Sequence, residues 1–181
     1  IKFAREFGHR IKLLGIARRV GDRIDQRVEP AMVKLGTPLA DVDGAFNAVV
    51  AHAREAGPFT FEGRGAGEAP TTSAVIADLV DIARGMFGAP FGRPAKSLIT
   101  SGSGPGPRTG AFYLRFEVRD APGVLAEIAR RLAEAEVSIE SMIQRGRSPG
   151  SAVAIVMITH ECLETALASA LKAIAASDKV M

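Results

Sequence analysis

The chain has 181 residues, of which 47% are hydrophobic and 24% charged, a composition typical of a globular protein with one or two domains. The formal net charge of +3 is too small, and the basic residues are too dispersed, to indicate a nucleic-acid-binding protein. No apolar run is long enough to predict a membrane span. A single cysteine excludes an intrachain disulfide, which favours a cytoplasmic location.

The first 87 residues are predicted to contain mainly strands, followed by one helix. β-branched and leucine residues predict the first strand, and Pro30 places the second strand at an edge or at its own end. The helix has an apolar stripe at three- and four-residue steps, and Gly85 and Gly88 predict where it ends. The predicted elements are a helix tail ending at Gly8, strands over 11–20 and 24–33, a polar loop over 34–43, a hairpin of 46–54 with 59–62, and a helix over 72–86.

Residues 88–110 differ in composition from everything around them. Ten of these 23 residues are glycine or proline. Such a segment is typical of an exposed linker, because it has little apolar surface to bury. The sequence therefore predicts two domains, one over residues 1–87 and one over residues 111–181.

Residues 111–181 have the strand and helix order of a ferredoxin-like plait, βαββαβ. The first strand alternates apolar and polar residues, and Pro122 suits the first turn of the helix that follows. With the preceding domain this gives an α+β fold class. The predicted elements are strands over 112–119, 137–145 and 152–159, a helix after Asp120, a second helix over 162–176, and a last strand that begins at Lys179 and is cut short.

The cysteine and the three histidines do not indicate a reactive or metal-binding centre. Cys162 lies at a predicted helix start, where a buried small side chain is more common than a reactive thiol. His9, His52 and His160 are far apart in sequence and lack carboxylates or cysteines at ligand spacing. We therefore expect no metal site.

The most informative segment is Gly63–Val75, which has three glycines within five residues, then a proline and three hydroxyl residues, then an apolar-periodic run. Glycine lets a ligand approach the backbone, and a helix N-terminus favours a negative group. The segment therefore predicts a place for a phosphate-bearing cofactor. The alternative is a glycine turn that only permits close helix packing, and spacing alone favours this alternative by about two to one.

Several segments, in chain order, resemble the homoserine dehydrogenase family. Gly63–Leu79 is similar to the signature near the end of that family's catalytic region. The other similar segments are Ile11–Ala17, Arg27–Pro30 and Pro38–Val49. The resemblance implies part of a mixed-sheet substrate and dimerisation domain. It also implies an oxidoreductase that interconverts L-homoserine and L-aspartate 4-semialdehyde with NADP or NAD, in threonine, methionine and isoleucine biosynthesis.

The same resemblance implies which residues lie beside the cofactor. The position that matches Gly67 contacts the cofactor in the family, and Gly65 and Ala66 are its neighbours. Thr71 either donates its hydroxyl to a ligand or caps the helix. Asn47, a polar residue inside an apolar strand, is predicted to hydrogen-bond a neighbouring loop, either within the subunit or at a subunit contact.

No catalytic residue is assigned to this chain. The family's dinucleotide domain, catalytic lysine and substrate carboxylates precede the part that resembles residues 11–17, and Lys12 is predicted to lie on a solvated strand face. We therefore expect the 181 residues alone to be inactive. We also expect them to oligomerise, because apolar strand surface is otherwise left open to water.

Residues 112–181 resemble the ACT family of amino-acid-sensing domains, through the segment Asp120–Leu125. The resemblance implies a regulatory amino acid, L-threonine, bound between two such domains at Asp120, Gly123, Val124 and Leu125. The alternative is that Asp120 only caps the helix and the domain only dimerises. For the whole chain, the alternative is a freestanding amino-acid-sensing or oligomerisation module without catalysis.

Overall fold

The structure is a computed structural model that describes residues 2–89, 91–100, 102–103, 108–146 and 152–177. The chain divides into two compact units. Unit 1 comprises Ile1–Ile16 and Asp22–Gly102, and unit 2 comprises Ala17–Gly21 and Ser103–Met181. The two are described separately below.

The first part of the chain folds into two strand pairs and a long helix. Strands β1 and β2 are hydrogen-bonded neighbours in one sheet, and β3 and β4 form an antiparallel hairpin whose register runs from Phe46 opposite Arg64 to Ala53 opposite Gly57. The predicted hairpin is thus confirmed. The elements are α1 (Lys2–Glu6), β1 (His9–Val20), β2 (Arg23–Lys34), α2 (Pro38–Asp41), β3 (Phe46–Ala53), β4 (Gly57–Arg64) and α3 (Glu68–Ala83).

Helix α3 begins four residues before its predicted start, and it ends just before Gly85, one of the two glycines that were predicted to terminate it. Gly85, with φ of +72°, terminates it through two backbone hydrogen bonds. The Gly85 N–H donates to the Ile82 carbonyl at 3.0 Å, and the Met86 N–H donates to the Asp81 carbonyl at 2.9 Å. This pair of bonds satisfies carbonyls that the helix end would otherwise leave open.

Unit 1 buries little of its apolar surface. Among its described residues, the fully buried hydrophobic side chains are only Ala4 and Ala40. Helix α3 has no buried residue, so the apolar stripe that its sequence predicts is exposed along its length. Large hydrophobic side chains that remain exposed include Leu13, Val28, Val49, Phe61, Val75, Leu79 and Ile82.

Unit 2 has the predicted βαββα arrangement, and the α+β fold class is confirmed. Its three-stranded antiparallel sheet has the order β7–β9–β8, so the third strand of the plait lies between the first and the second. The fourth strand, predicted to begin at Lys179, lies outside the described residues. The elements are β7 (Tyr113–Arg119), α4 (Val124–Glu134), β8 (Ile139–Gln144), β9 (Ala152–Thr159) and α5 (Glu164–Ala175).

One face of this sheet and the two helices enclose the hydrophobic core of unit 2. Apolar and polar residues alternate along β7, which places one face of the strand in the core. Leu114, Phe116 and Val118 are buried, and the residues between them are exposed. Helix α4 contributes side chains spaced four residues apart, Val124, Ile128 and Leu132. Further core residues are Ile155 and Met157 from β9 and Leu167, Ala170 and Ile174 from α5.

Among the described residues, three two-residue strands lie outside the main elements, two of them within the predicted linker. Strand β5 (Gly102–Ser103) lies at the division between the units, and β6 (Thr109–Gly110) pairs antiparallel with β10 (Cys162–Leu163). Helix α5 therefore starts two residues later than predicted, and Cys162 is a buried strand residue rather than a helix residue. No helix in the described part of the chain is long and apolar enough to cross a membrane.

Replacing Leu132 by alanine should destabilise unit 2 by about 2–5 kcal/mol, because the side chain is fully buried and its removal leaves a cavity. Leu163→Ala is the matched control, since the same side chain is 48% exposed there and its loss should cost about 0.5 kcal/mol or less. Chemical denaturation monitored by circular dichroism measures both. Equal losses at the two positions would contradict the core assignment.

Candidate functional site

The segment between β4 and α3 brings the three sequence-predicted cofactor residues together in one bend. We call Gly65, Ala66 and Gly67 the glycine bend. The Gly65 N–H donates to the Ala45 carbonyl at 3.0 Å, which anchors the start of the bend beside β3. All three residues are exposed, so their backbone is open to a ligand.

Gly67 has a backbone conformation that other residues avoid. Its φ of 130° and ψ of 153° lie in a region that is essentially restricted to glycine. It is the N-cap residue of α3, and the Thr71 N–H donates to its carbonyl at 3.2 Å. A Cβ at this position would also approach Cδ of Pro70 to 3.3 Å. The conformation therefore requires glycine here, and the contact with Pro70 leaves little room for a side chain.

At position 65 glycine is required for a different reason, namely that a neighbouring side chain leaves no room for a Cβ atom. The φ of Gly65 does not lie in the left-handed region, so its backbone would accept alanine. A Cβ built on Gly65, however, would overlap the side-chain amide nitrogen of Asn47, and would lie 2.6 Å from the Asn47 Cγ. The Asn47 side chain thus lies beside the glycine bend, whereas the predicted hydrogen bond from Asn47 to a neighbouring loop stays a prediction.

The N-terminus of α3 forms one wall of a shallow, open depression. Its lining residues come from the first turns of the helix: Glu68, Ala69, Thr72, Ser73 and Ile76. The free N–H groups of a helix start attract negative groups, and the helix has 16 residues. The carboxylate of Glu68 in the first turn opposes that attraction.

The expectation that a hydroxyl residue caps α3 is wrong. Thr71 lies inside the helix, four residues after the N-cap, and the N-cap glycine makes no side-chain hydrogen bond. The helix starts earlier because Gly67 supplies the turn into it, which leaves the hydroxyl residues on the first two turns. The Thr71 side chain is exposed there.

Lys12 is not on a solvated face, contrary to the sequence prediction. Its side chain is 20% exposed, and its ammonium group donates a hydrogen bond to the Val42 carbonyl and lies 3.4 Å from Asp43 Oδ1. Arg10 bridges the same segment, from Nη1 to the Ala40 carbonyl at 3.0 Å and from Nη2 to Asp43 at 2.7 Å. The hydrogen bond from Arg10 is the main cause of the lowered pKa of Asp43. These contacts tie β1 to the segment before β3.

A cation–π contact joins the two strands of the hairpin at the end next to the glycine bend. The guanidinium carbon of Arg64 lies 5.5 Å from the ring centroid of Phe46, its cross-strand partner. Such contacts contribute about 0.5–1 kcal/mol at exposed sites. The last strand residue before the bend is thereby held to the first residue of β3.

In unit 2, the sequence-predicted effector residues form the turn between β7 and α4. Gly123 is the N-cap residue of α4 with φ of +85°, so the left-handed conformation explains the glycine. Val124 is buried in the core, and Leu125 packs partly against it, so both offer backbone rather than side chains to a ligand. Asp120 is half-buried and is not the N-cap residue, and Gly123 makes no side-chain cap bond. The alternative in which Asp120 is the N-cap residue of the helix is therefore wrong.

Helix α4 carries an exposed ion-pair network beyond this turn. Glu127 accepts hydrogen bonds from both Arg130 and Arg131, at 2.8 and 2.9 Å. The bond from Arg130, followed by that from Arg131, lowers the pKa of the Glu127 carboxyl. Glu127 is thus paired with two arginines of its own helix. In the described ranges, no three or more His, Cys, Asp or Glu residues lie close enough to hold a metal ion.

Comparison with known proteins assigns both halves of the chain. Residues 1–80 match the family model of homoserine dehydrogenase, and residues 112–178 match that of the ACT domain. The homoserine dehydrogenase of Neisseria gonorrhoeae is 41% identical over 187 aligned positions. Residues 1–80 belong to the homoserine dehydrogenase family.

Other relatives agree with this assignment. The homoserine dehydrogenase of Pseudomonas aeruginosa is 34% identical, and, as for the Neisseria protein, the alignment covers 99% of this chain and 43% of the relative. The crystal structure of a homoserine dehydrogenase from Thiobacillus denitrificans is 39% identical, with a TM-score of 0.85, and is matched over 100% of this chain and 42% of its own. The chain thus spans less than half the length of the relatives it matches.

Proposed function

We propose that the chain is part of an NAD(P)-dependent oxidoreductase that interconverts L-homoserine and L-aspartate 4-semialdehyde, in the biosynthesis of threonine, methionine and isoleucine. The observation that carries the proposal is the glycine bend: an exposed backbone, fixed at both ends, that leads into a helix N-terminus in a chain of this family. Within it we assign residues 1–87 to the substrate domain, 88–110 to a linker and 111–181 to an ACT regulatory domain. We place the protein in the cytoplasm.

The role of this chain in that reaction is to bind and position the cofactor. A nicotinamide cofactor, NADP or NAD, supplies the hydride transfer when bound. Gly65, Ala66 and Gly67 fit such a group, because none presents a side chain larger than a methyl group and Gly67 precedes the free amides of α3. We assign no proton transfer to Lys12, since its ammonium group is already held by Val42 and Asp43. The 181 residues alone are expected to be inactive.

Replacing Gly67 by valine should weaken cofactor binding about tenfold or more. A β-branched side chain is strained at φ of 130°, and it would occupy the space through which the ligand approaches the backbone. The measurement uses the protein expressed from its complete open reading frame, assayed with L-homoserine and with NADP and NAD in turn, with a fluorescence titration of each cofactor.

Gly88→Val is the matched control for this substitution. A Cβ at Gly88 meets nothing within 4 Å, and Gly88 does not have a left-handed backbone, so this variant should bind like the unsubstituted protein. An unchanged cofactor affinity in Gly67→Val would refute the assignment of the bend. Absence of homoserine oxidation with both cofactors would refute the proposed activity.

For unit 2 we propose regulation by an amino acid, L-threonine, at the turn of Asp120, Gly123, Val124 and Leu125. The amides at the start of α4 would bind the effector carboxylate, and the Asp120 carboxylate would bind its ammonium group. The assignment is supported by the position of Val124 and Leu125, which the core fixes at the start of α4. The alternative function is a freestanding sensing or oligomerisation module without catalysis.

Calorimetric titration with L-threonine should show binding to the unsubstituted protein, and at least tenfold weaker binding to Asp120→Ala, because the ammonium group loses its charged partner. Glu140→Ala removes an exposed carboxylate from strand β8 of the same unit and should leave binding unchanged. No heat of binding with the unsubstituted protein would end the threonine assignment. Equal affinity in Asp120→Ala would place the effector elsewhere.

We also propose that the chain assembles into a homo-oligomer through the exposed apolar faces of unit 1. Phe61 is 65% exposed and Leu13 is 72% exposed, and a hairpin such as β3–β4 is only marginally stable without a packing partner. Light scattering of residues 1–181 should therefore give a mass of at least two chains. A monodisperse monomer across a tenfold range of concentration would contradict this.

A further inference from the structure

Asn47 lies where it can fix the glycine bend from outside. In the β3–β4 register it is the cross-strand partner of Gly63, two residues before the bend begins. The three atoms that a Cβ on Gly65 would meet first are all in the Asn47 side chain, namely Nδ2, Cγ and Cβ. The Asn47 amide therefore occupies the space that the missing Gly65 side chain leaves free.

Gly65 is held by a second, separate contact. Its N–H donates to the Ala45 carbonyl at 3.0 Å, so one hydrogen bond and one side-chain contact, both from the start of β3, fix the same residue. The Arg64–Phe46 pair holds the preceding residue. A backbone that binds a ligand directly must keep its position before the ligand arrives, since ordering it on binding costs affinity.

We propose that Asn47 is a positioning residue for the cofactor, which acts through Gly65: the amide packs on the Gly65 backbone and sets where Ala66 and Gly67 meet the ligand. This inference rests on the proposed cofactor site. The inference also gives a different reason for the presence of glycine at each of the two positions. Gly67 is required by its conformation, whereas Gly65 is required by one neighbouring side chain. Only the second requirement can be removed by changing another residue.

The test is a double-mutant cycle on the protein expressed from its complete open reading frame. Asn47→Ala removes the amide and leaves the Asn47 Cβ, which would lie 3.4 Å from a Cβ at position 65, an ordinary contact distance. Gly65→Ala displaces the amide. Each single substitution should weaken cofactor binding about fivefold, and the double variant should be no weaker than Gly65→Ala. Independent effects would multiply to roughly 25-fold.

Gly63→Ala is the matched control, because Gly63 also faces Asn47 across the hairpin but a Cβ there meets nothing within 4 Å. It should bind the cofactor normally. The rate at saturating cofactor should be unchanged in all four variants, while the cofactor KM rises in Asn47→Ala, in Gly65→Ala and in the double variant, but not in Gly63→Ala. A role in folding alone would lower the thermal midpoint and the active fraction without changing that KM.

Three results would overturn the inference while leaving the proposed function intact: normal affinity in Gly65→Ala, normal affinity in Asn47→Ala, or single effects that multiply in the double variant. Failure of the unsubstituted protein to bind NADP and NAD would instead refute the proposed cofactor site, and the positioning role with it. The titration of the unsubstituted protein therefore separates the two failures.

Discussion

The site depends on one constraint: a stretch of backbone must be bare enough for a ligand to touch and still be held in a fixed place. Glycine provides the first property and works against the second, because it has the greatest conformational freedom of any residue. The structure meets the constraint by anchoring the glycine bend from its surroundings. The Ala45 carbonyl, the Asn47 amide and the start of α3 fix a segment whose only side chain is the methyl group of Ala66.

The two units differ in where their stability comes from. Unit 2 encloses a core of Ile128, Leu132, Ile155, Met157 and Ile174, so its fold is supported by burial within these residues. Unit 1 pairs its strands correctly but leaves both the hairpin and α3 exposed. Its strands are held by hydrogen bonds in a defined register, with little support from buried apolar contacts among the described residues. The bend lies in this less supported unit, which makes its local anchors more important.

Much of this fold could be predicted from the sequence, because its main patterns are local. The alternation in β7 and the four-residue spacing in α4 directly reflect one buried face each. Long-range pairings could not be predicted in this way. Lys12 alternates as a strand residue should, but its partner Asp43 is 31 residues away. The β6–β10 ladder involves two residues on each side, too few to leave a periodic pattern. The start of α3 was misplaced because a glycine, rather than a hydroxyl residue, takes the N-cap position.

The bend also shows why a glycine motif by itself is weak support for a ligand site. Gly63, Gly65 and Gly67 are equivalent in sequence, yet the first has free space around it, the second is limited by Asn47, and the third is fixed by its own φ. Spacing cannot separate these cases, since one difference arises from Asn47 in an earlier strand and the other from the backbone conformation of Gly67. Asn47, which in the sequence is a single polar residue within an apolar strand, therefore forms part of the surroundings of the glycine bend. In this segment it is the neighbours of each glycine, more than the glycines themselves, that decide what the motif can do.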